Sequence, residues 1–236
     1  MDEVADMTTK IWDELIPEQE RALYEATGFG GPTGIGRKCA LLVIDVQYRT
    51  LGSKSMPIME AIKEYPTSCG EYGWQALPHI ERLVRYFREK GWPIFYPHVA
   101  PKSDYDRGQF GAKVPAVMQV PEAGYRFVDS IAPVEGDIGI AKYHPSAFFG
   151  TSLSSYLIGM GVDTLVVTGA TTSGCVRATV IDGSSFNYKV VVAEQGVFDR
   201  VPSSHAVNLF DMASKYADVL ATDEIIRQLD AVEQRP

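Results

Sequence analysis

Positive charge is in short supply in this chain: 22 lysines and arginines stand against 30 acidic residues, a formal net charge of −8 at pH 7 over 236 residues. That balance argues against nucleic acid as a partner, and an acidic small molecule would need a local cluster of cations set against the general field. Long apolar runs are absent as well. None approaches the roughly 20 residues needed to cross a bilayer, so no membrane partner is expected. The opening stretch MDEVADMTTKIWDEL is acidic and has neither the basic flank nor the apolar core of a secretory signal. The three cysteines, Cys39, Cys69 and Cys175, are an odd number in widely separated contexts, which fits free thiols in a reducing compartment better than a disulfide framework. A cytoplasmic location is the expectation.

With 45% hydrophobic and 22% charged residues, the chain has the material for a sizeable core, in one large α/β domain or two small ones. Residues 8–27 read as helical pieces interrupted at Pro17, whose missing N–H and ring break or restart a helix. The glycine-rich stretch 28–38 precedes a strand instead of linking a strand to a helix, which argues against a phosphate cradle. Residues 39–46 (CALLVIDV) are a continuous apolar run ending in an acid, the pattern of a strand buried on both faces. Ile80, Leu83, Val84 and Phe87 draw one apolar stripe along a helix over 75–90, stopped by Gly91. Further strands are expected at 92–99, within 136–144, and at 164–169, 189–193 and 218–221, with helices at 151–160, 175–186 and 203–216. Strands alternating with helices imply parallel pairing through right-handed crossovers. The expected fold is a single three-layer α-β-α domain with a doubly wound, mainly parallel six-stranded sheet. The irregular stretches 51–74 and 101–130 are expected to decide specificity.

In such a sheet, ligands bind beyond the carboxyl ends of the strands near a topological switch. Three chemically useful residues fall there. Asp45 closes the first strand, Lys142 ends the third, and Cys175 opens the helix after TLVVTGATTSG. A thiol at a helix N-terminus feels the positive end of the dipole, and a nearby lysine would lower its pKa further. Asp45 is then a proton carrier, and N–H groups of the TTSG turn are candidates for an oxyanion site. Taken singly, each residue has an ordinary explanation. A cysteine in an α/β core is usually a small apolar residue, the reading given to Cys39 and Cys69; an acid ending a strand often caps a loop, and a lysine there is often solvated. The conjunction of the three points to a nucleophile with its acid–base partners.

The segments ALLVIDVQ, KYHPSAFFGTSL, VTGATTSGCVRATVIDG, VVVAEQGVFDR and SSHAVNLFDMASKYADV resemble, in order, the isochorismatase-like cysteine hydrolase superfamily over nearly all of residues 38–221. The phrase TTSGCVRAT, with the downstream DR and H-x-x-NLFD, is most similar to the N-carbamoylsarcosine amidase branch, with maleamate amidohydrolases a neighbouring group. The resemblance implies an isochorismatase-like hydrolase domain over 38–236, preceded by an N-terminal helical extension and glycine-rich lead-in over 1–37. It implies a triad of Asp45, Lys142 and Cys175, a cis peptide between Ala170 and Thr171, and an oxyanion hole formed by the Thr171 and Cys175 N–H groups. Arg200 matches an arginine that holds the substrate carboxylate in that branch, a role suited to paired guanidinium donors; a surface ion pair with Asp199 is the alternative. His205, Phe148, Phe149 and Trp74 are further candidates for the mouth of the site, with core or incidental positions as their alternatives. Arg177 reads equally well as a structural ion-pair partner.

Nicotinamidase-type relatives hold a metal through an Asp-x-His motif and two further histidines. None of His79, His98, His144 and His205 stands in that spacing, so neither a metal nor another cofactor is expected. Superfamily members that cleave the vinyl ether of isochorismate lack the nucleophilic cysteine, whereas Cys175 is in the matching place here. The implied activity is hydrolysis of the C–N bond of a small carboxylate-bearing linear amide or N-carbamoyl compound, through a cysteine thio-acyl intermediate that releases ammonia, in a homotetramer. A maleamate-type dicarboxylic monoamide hydrolase is the alternative within the class. A non-catalytic binding or scaffold protein on the same fold is the alternative outside it.

Overall fold

A computed structural model describes residues 9–233, so residues 1–8 of the N-terminal extension and 234–236 lie outside the described residues. Six strands, β1 (Cys39–Ile44), β2 (Ile94–Val99), β3 (Ile138–Lys142), β4 (Thr164–Ala170), β5 (Lys189–Phe198) and β6 (Asp218–Leu220), form one sheet in the order β3-β2-β1-β4-β5-β6. Every neighbouring pair is parallel, so the expected doubly wound sheet is present and entirely parallel. The winding direction reverses between β1 and β4, which opens a crevice at their carboxyl ends.

Nine helices accompany the strands among the described residues: α1 (Glu18–Ala26), α2 (Tyr48–Leu51), α3 (Ile58–Glu64), α4 (Glu71–Lys90), α5 (Gly108–Lys113), α6 (Leu153–Met160), α7 (Arg177–Ser185), α8 (Pro202–Lys215) and α9 (Thr222–Glu233). Pro17 immediately precedes α1. The expected helices at 75–90, 151–160 and 203–216 correspond to α4, α6 and α8. Three differences affect the reading. A π-helical turn, Thr172–Val176, precedes α7, so Cys175 sits in that turn and does not open the α-helix. β5 continues to Phe198, five residues past its expected end. The closing helix α9 went unread from the sequence.

Both faces of the sheet are covered. Alternate residues of β1 go opposite ways: Leu41 and Val43 pack with Phe87 of α4 and Ile225 of α9, while Leu42 and Ile44 pack with Leu157 of α6, Val180 of α7 and Leu209 of α8. This two-sided burial is why CALLVI shows no polar alternation. Each fully buried aliphatic side chain of this kind contributes about 1.5–3 kcal/mol. The N-terminal segment packs on its own domain. Trp12 and Ile16 join the α6–α8 core, the rings of Trp12 and Tyr24 meet Phe210 edge-on, and Lys10 Nζ lies 2.9 Å from Glu194 Oε2. No helix of the described residues is long and apolar enough to cross a membrane.

One close approach decides where the site residues emerge. Gly169, near the end of β4, has φ +101°, and a Cβ there would lie 2.0 Å from the Ile44 carbonyl oxygen. The β4–β5 register also shifts between Val167 and Gly169. Replacing Gly169 by alanine would force left-handed backbone strain and a clash with backbone that cannot move aside. Gly169→Ala should therefore destabilise the fold by about 3 kcal/mol or more. The exposed helical Gly159, with nothing within 4 Å of an added Cβ, should accept alanine with a gain of up to about 1 kcal/mol. Urea unfolding midpoints of the two variants test the contrast.

Candidate active site

Asp45 follows the last residue of β1 with φ +52°, a left-handed conformation that aspartate tolerates better than most residues. Its backbone is held on both sides. The Asp45 N–H donates to Pro97 O at 2.8 Å, and its carbonyl accepts the Gln47 N–H at 2.9 Å and the Thr50 hydroxyl at 2.6 Å. Gln47, fully buried, donates its side-chain amide to Tyr125 O (2.6 Å) and Val99 O (3.2 Å) and accepts the Val99 N–H (3.2 Å). Short helix α2 is thereby pinned to the end of β2 and to the loop around 125. Lys142 ends β3 opposite Val99. Its Nζ donates to Asp45 Oδ2 at 2.8 Å and to His144 O at 3.3 Å, and both side chains of the Asp45–Lys142 pair are almost completely buried. The other carboxylate oxygen, Asp45 Oδ1, is buried with no hydrogen-bond partner among the described residues.

Cys175 completes the group from the other side of the crevice. The Ala170–Thr171 peptide is cis, and the π turn that follows carries Cys175, half-buried, into contact with Asp45 and Lys142. Asp199, at the end of β5, fastens this turn: its Oδ2 accepts the Ser173 hydroxyl (2.6 Å) and the Ser173 N–H (2.8 Å). Thr179 Oγ1 donates to Cys175 O at 2.7 Å.

The electrostatics differ from the expectation of a lowered thiol pKa. Burial pushes the Cys175 thiol up to about 12; the Asp45 carboxylate adds to the rise, and Lys142 opposes it. Burial also works against the Lys142 ammonium, but Asp45 and then Cys175 outweigh it and hold its pKa above the ordinary lysine range. Burial and the Asp45 carboxylate thus outweigh Lys142 at the thiol and favour its neutral form beside the Asp45–Lys142 contact.

The three side chains open on a cavity of about 390 Å³, whose lining includes Thr171 and Arg200. Its walls come from the two irregular stretches singled out in the sequence, through Pro66 and Thr67 on one side and Lys102, Phe110 and Val117 on the other. Arg200 is half-exposed; its Nη2 donates to Thr67 O at 2.7 Å and its Nη1 lies 4.0 Å from Asp199. Other candidates fall elsewhere. Phe148 is buried in the α6–α8 core against Phe186 and Tyr188. Trp74 packs on the α4 face and donates its Nε1–H to Leu51 O at 3.1 Å. His205 sits 2.7 Å from Thr172 Oγ1 and lines a separate hollow with His79 and Glu194. Burial lowers its pKa, with Asp199 and Glu194 acting in the other direction. Phe149 is exposed and edge-on to His144. Arg177 pairs with Asn208 and Asp211 of α8. No three metal-ligating side chains gather among the described residues.

Sequence reasoning missed Arg49 and Lys102, which line the same cavity. Both lie in segments without helical or strand periodicity, so only the placement of Asp45 and Lys142 could have drawn attention to them.

A resting thiol has a direct consequence. The ultraviolet thiolate absorbance assignable to Cys175, taken as intact protein minus Cys175→Ala, should be absent at neutral pH and grow in only in strongly alkaline solution. A thiolate signal at neutral pH would overturn the assignment.

Comparison with known proteins places the chain. The Isochorismatase domain matches residues 39–224. The N-carbamoylsarcosine amidase of Arthrobacter sp is 32% identical over 225 residues, covering 92% of this chain and 81% of that protein. The maleamate amidohydrolase of Pseudomonas putida is 32% identical over 209 residues, covering 85% and 91%. The crystal structure of an isochorismatase-like hydrolase from Alkaliphilus metalliredigens superposes with a TM-score of 0.67 at 25% identity, covering 80% of this chain and 97% of that one. With its sheet, its crevice and this match across most of its length, the chain belongs to the isochorismatase family.

Proposed function

We propose that the protein is an amidohydrolase that cleaves the C–N bond of a small, carboxylate-bearing linear amide or N-carbamoyl compound through a thio-acyl enzyme on Cys175, releasing ammonia. The observation that carries this reading is the free Asp45 Oδ1, buried beside the Cys175 thiol while Oδ2 is occupied by Lys142. A carboxylate so placed has one oxygen fixed by a cation and the other available for a proton. The likeness to two amide-cleaving relatives at 32% identity supports the reaction class.

The chemistry follows from those positions. Asp45 takes the thiol proton as Cys175 attacks the amide carbon, and Lys142 keeps the carboxylate oriented and limits the charge left in the pocket. The tetrahedral oxyanion is assigned to the N–H groups of Thr171 and Cys175, at the turn that Asp199 holds rigid. Asp45 returns its proton to the leaving nitrogen, and ammonia departs. Water deprotonated by the same carboxylate then hydrolyses the thioester. No metal is assigned to the reaction. Arg200, at the edge of the cavity, is assigned to the substrate carboxylate.

Cys175→Ala should abolish ammonia release from a panel of carbamoyl amino acids and dicarboxylic monoamides, with circular dichroism and the unfolding midpoint of a folded protein; retained turnover would sink the mechanism. Arg200→Ala should raise KM more for carboxylate-bearing amides than for neutral ones. An equal effect on both would return Arg200 to a structural role with Asp199 and Thr67.

A further inference from the structure

One cation in the cavity carries donors that find no acceptor among the described residues. Arg49, on α2, is only 4% exposed, and its Nε and Nη1 find no hydrogen-bond acceptor among the described residues. Its guanidinium carbon lies 5.2 Å from the centre of the Tyr125 ring, which offers a π face but no acceptor for these N–H groups. Burying a charged donor without an acceptor is costly, and folded proteins rarely retain one unless something else supplies the acceptor. Arg49 lines the cavity that holds Asp45, Lys142 and Cys175.

Its surroundings share that polarity. Lys102 lines the same cavity and donates to Tyr143 O at 2.6 Å. Burial lowers the pKa of its amine; Asp106 acts the other way, Arg49 and Lys142 reinforce the fall, and Cys175 opposes it. Arg200 is tied to the same wall, because Thr67 receives the Arg200 Nη2 donor on its carbonyl and donates its own hydroxyl to Arg49 O at 2.8 Å. Asp45 is the one acidic residue among the lining, and it is paired with Lys142. A chain of net charge −8 has thus gathered an excess of positive charge around its candidate nucleophile.

We propose that Arg49, with Lys102 beside it, is a second anchor for the substrate carboxylate, more deeply buried than Arg200, and contributes more than Arg200 to the preference for anionic over neutral amides. Arg200 is half-exposed with a donor already engaged on Thr67, whereas Arg49 holds buried donors with no acceptor among the described residues. The proposal rests on the amidohydrolase reading for the reaction, but not for the binding of the anion.

Two measurements separate these claims. In the first, hydrolysis of N-carbamoylglycine is compared with that of its neutral counterpart N-carbamoylglycinamide. Arg49→Met should lower kcat/KM for the acid by about 10- to 100-fold, the range expected for a lost charge-assisted hydrogen bond. That loss should exceed the loss on the neutral amide at least tenfold, and Arg49→Lys should recover part of it. In the second, binding of succinate, which has no scissile amide, is measured by isothermal titration calorimetry. Arg49→Met should weaken succinate binding at least tenfold, and Lys102→Met, in a loop wall, should shift the titration in the same direction by less. Equal losses on acid and amide, or succinate binding that is absent or indifferent to Arg49, overturn the anchor. Succinate binding that depends on Arg49 in a protein that hydrolyses no amide leaves the anchor standing and removes the amidohydrolase reading instead.

Discussion

Burying an ammonium and a carboxylate removes both from water at several kcal/mol per ion, and the 2.8 Å contact between Lys142 and Asp45 offsets that only while both partners stay in place. Much of the surrounding architecture serves this requirement. Gln47 locks α2 to β2 and to the loop around 125, and Thr50 grips the Asp45 carbonyl, so the acid is held in a left-handed conformation aimed at β3. Gly169 lets β4 come against the end of β1, which brings the cysteine turn to the same crevice. The ion pair in turn governs the thiol. Burial and the Asp45 carboxylate together outweigh Lys142 at the thiol, which favours its neutral form.

The fold was readable from the sequence because its strongest signals are physical and local. A strand covered on both faces shows an unbroken apolar run, and CALLVI, TLVVTG and KVVVA are such runs. Chain order and the crossover rule then leave few topologies. The placement of the site follows from the same reading: Asp45 and Lys142 lie immediately beyond or at the end of an apolar run, and Cys175 lies in the turn that follows β4. The closing helix α9 carries an equally clear signal, with Ile225, Leu229 and Val232 at helical spacing, and went unread beyond the short edge strand β6.

Where the sequence misled, pairwise geometry was missing. A lysine near a cysteine was expected to lower its pKa; the side chains show the lysine committed to Asp45 and burial prevailing. Phe148 and Trp74 lie close in sequence to site segments, yet the segment between β3 and α6 and the phase of α4 turn them into the two cores. His205 follows the site arginine by five residues, but α8 carries it to the neighbouring hollow. Arg49 is the converse case. Nothing in YRTL distinguishes a cavity-lining guanidinium from a solvated one until α2 is seen pinned at the end of β2, with Arg49 donors that lack acceptors among the described residues.

The shortness of α2 bears on how this protein can diverge. The cavity wall drawn from 101–130 hangs on a loop that can change length and residue type without disturbing the sheet, so the size and shape of what enters can drift from one homologue to another. Arg49 and Thr50 are neighbours on a helix of four residues, and Thr50 is what holds Asp45. A substitution that reshapes α2 to alter the charge of the pocket therefore also moves Asp45, which ties the polarity of the cavity to the position of the buried ion pair while leaving its dimensions free to vary.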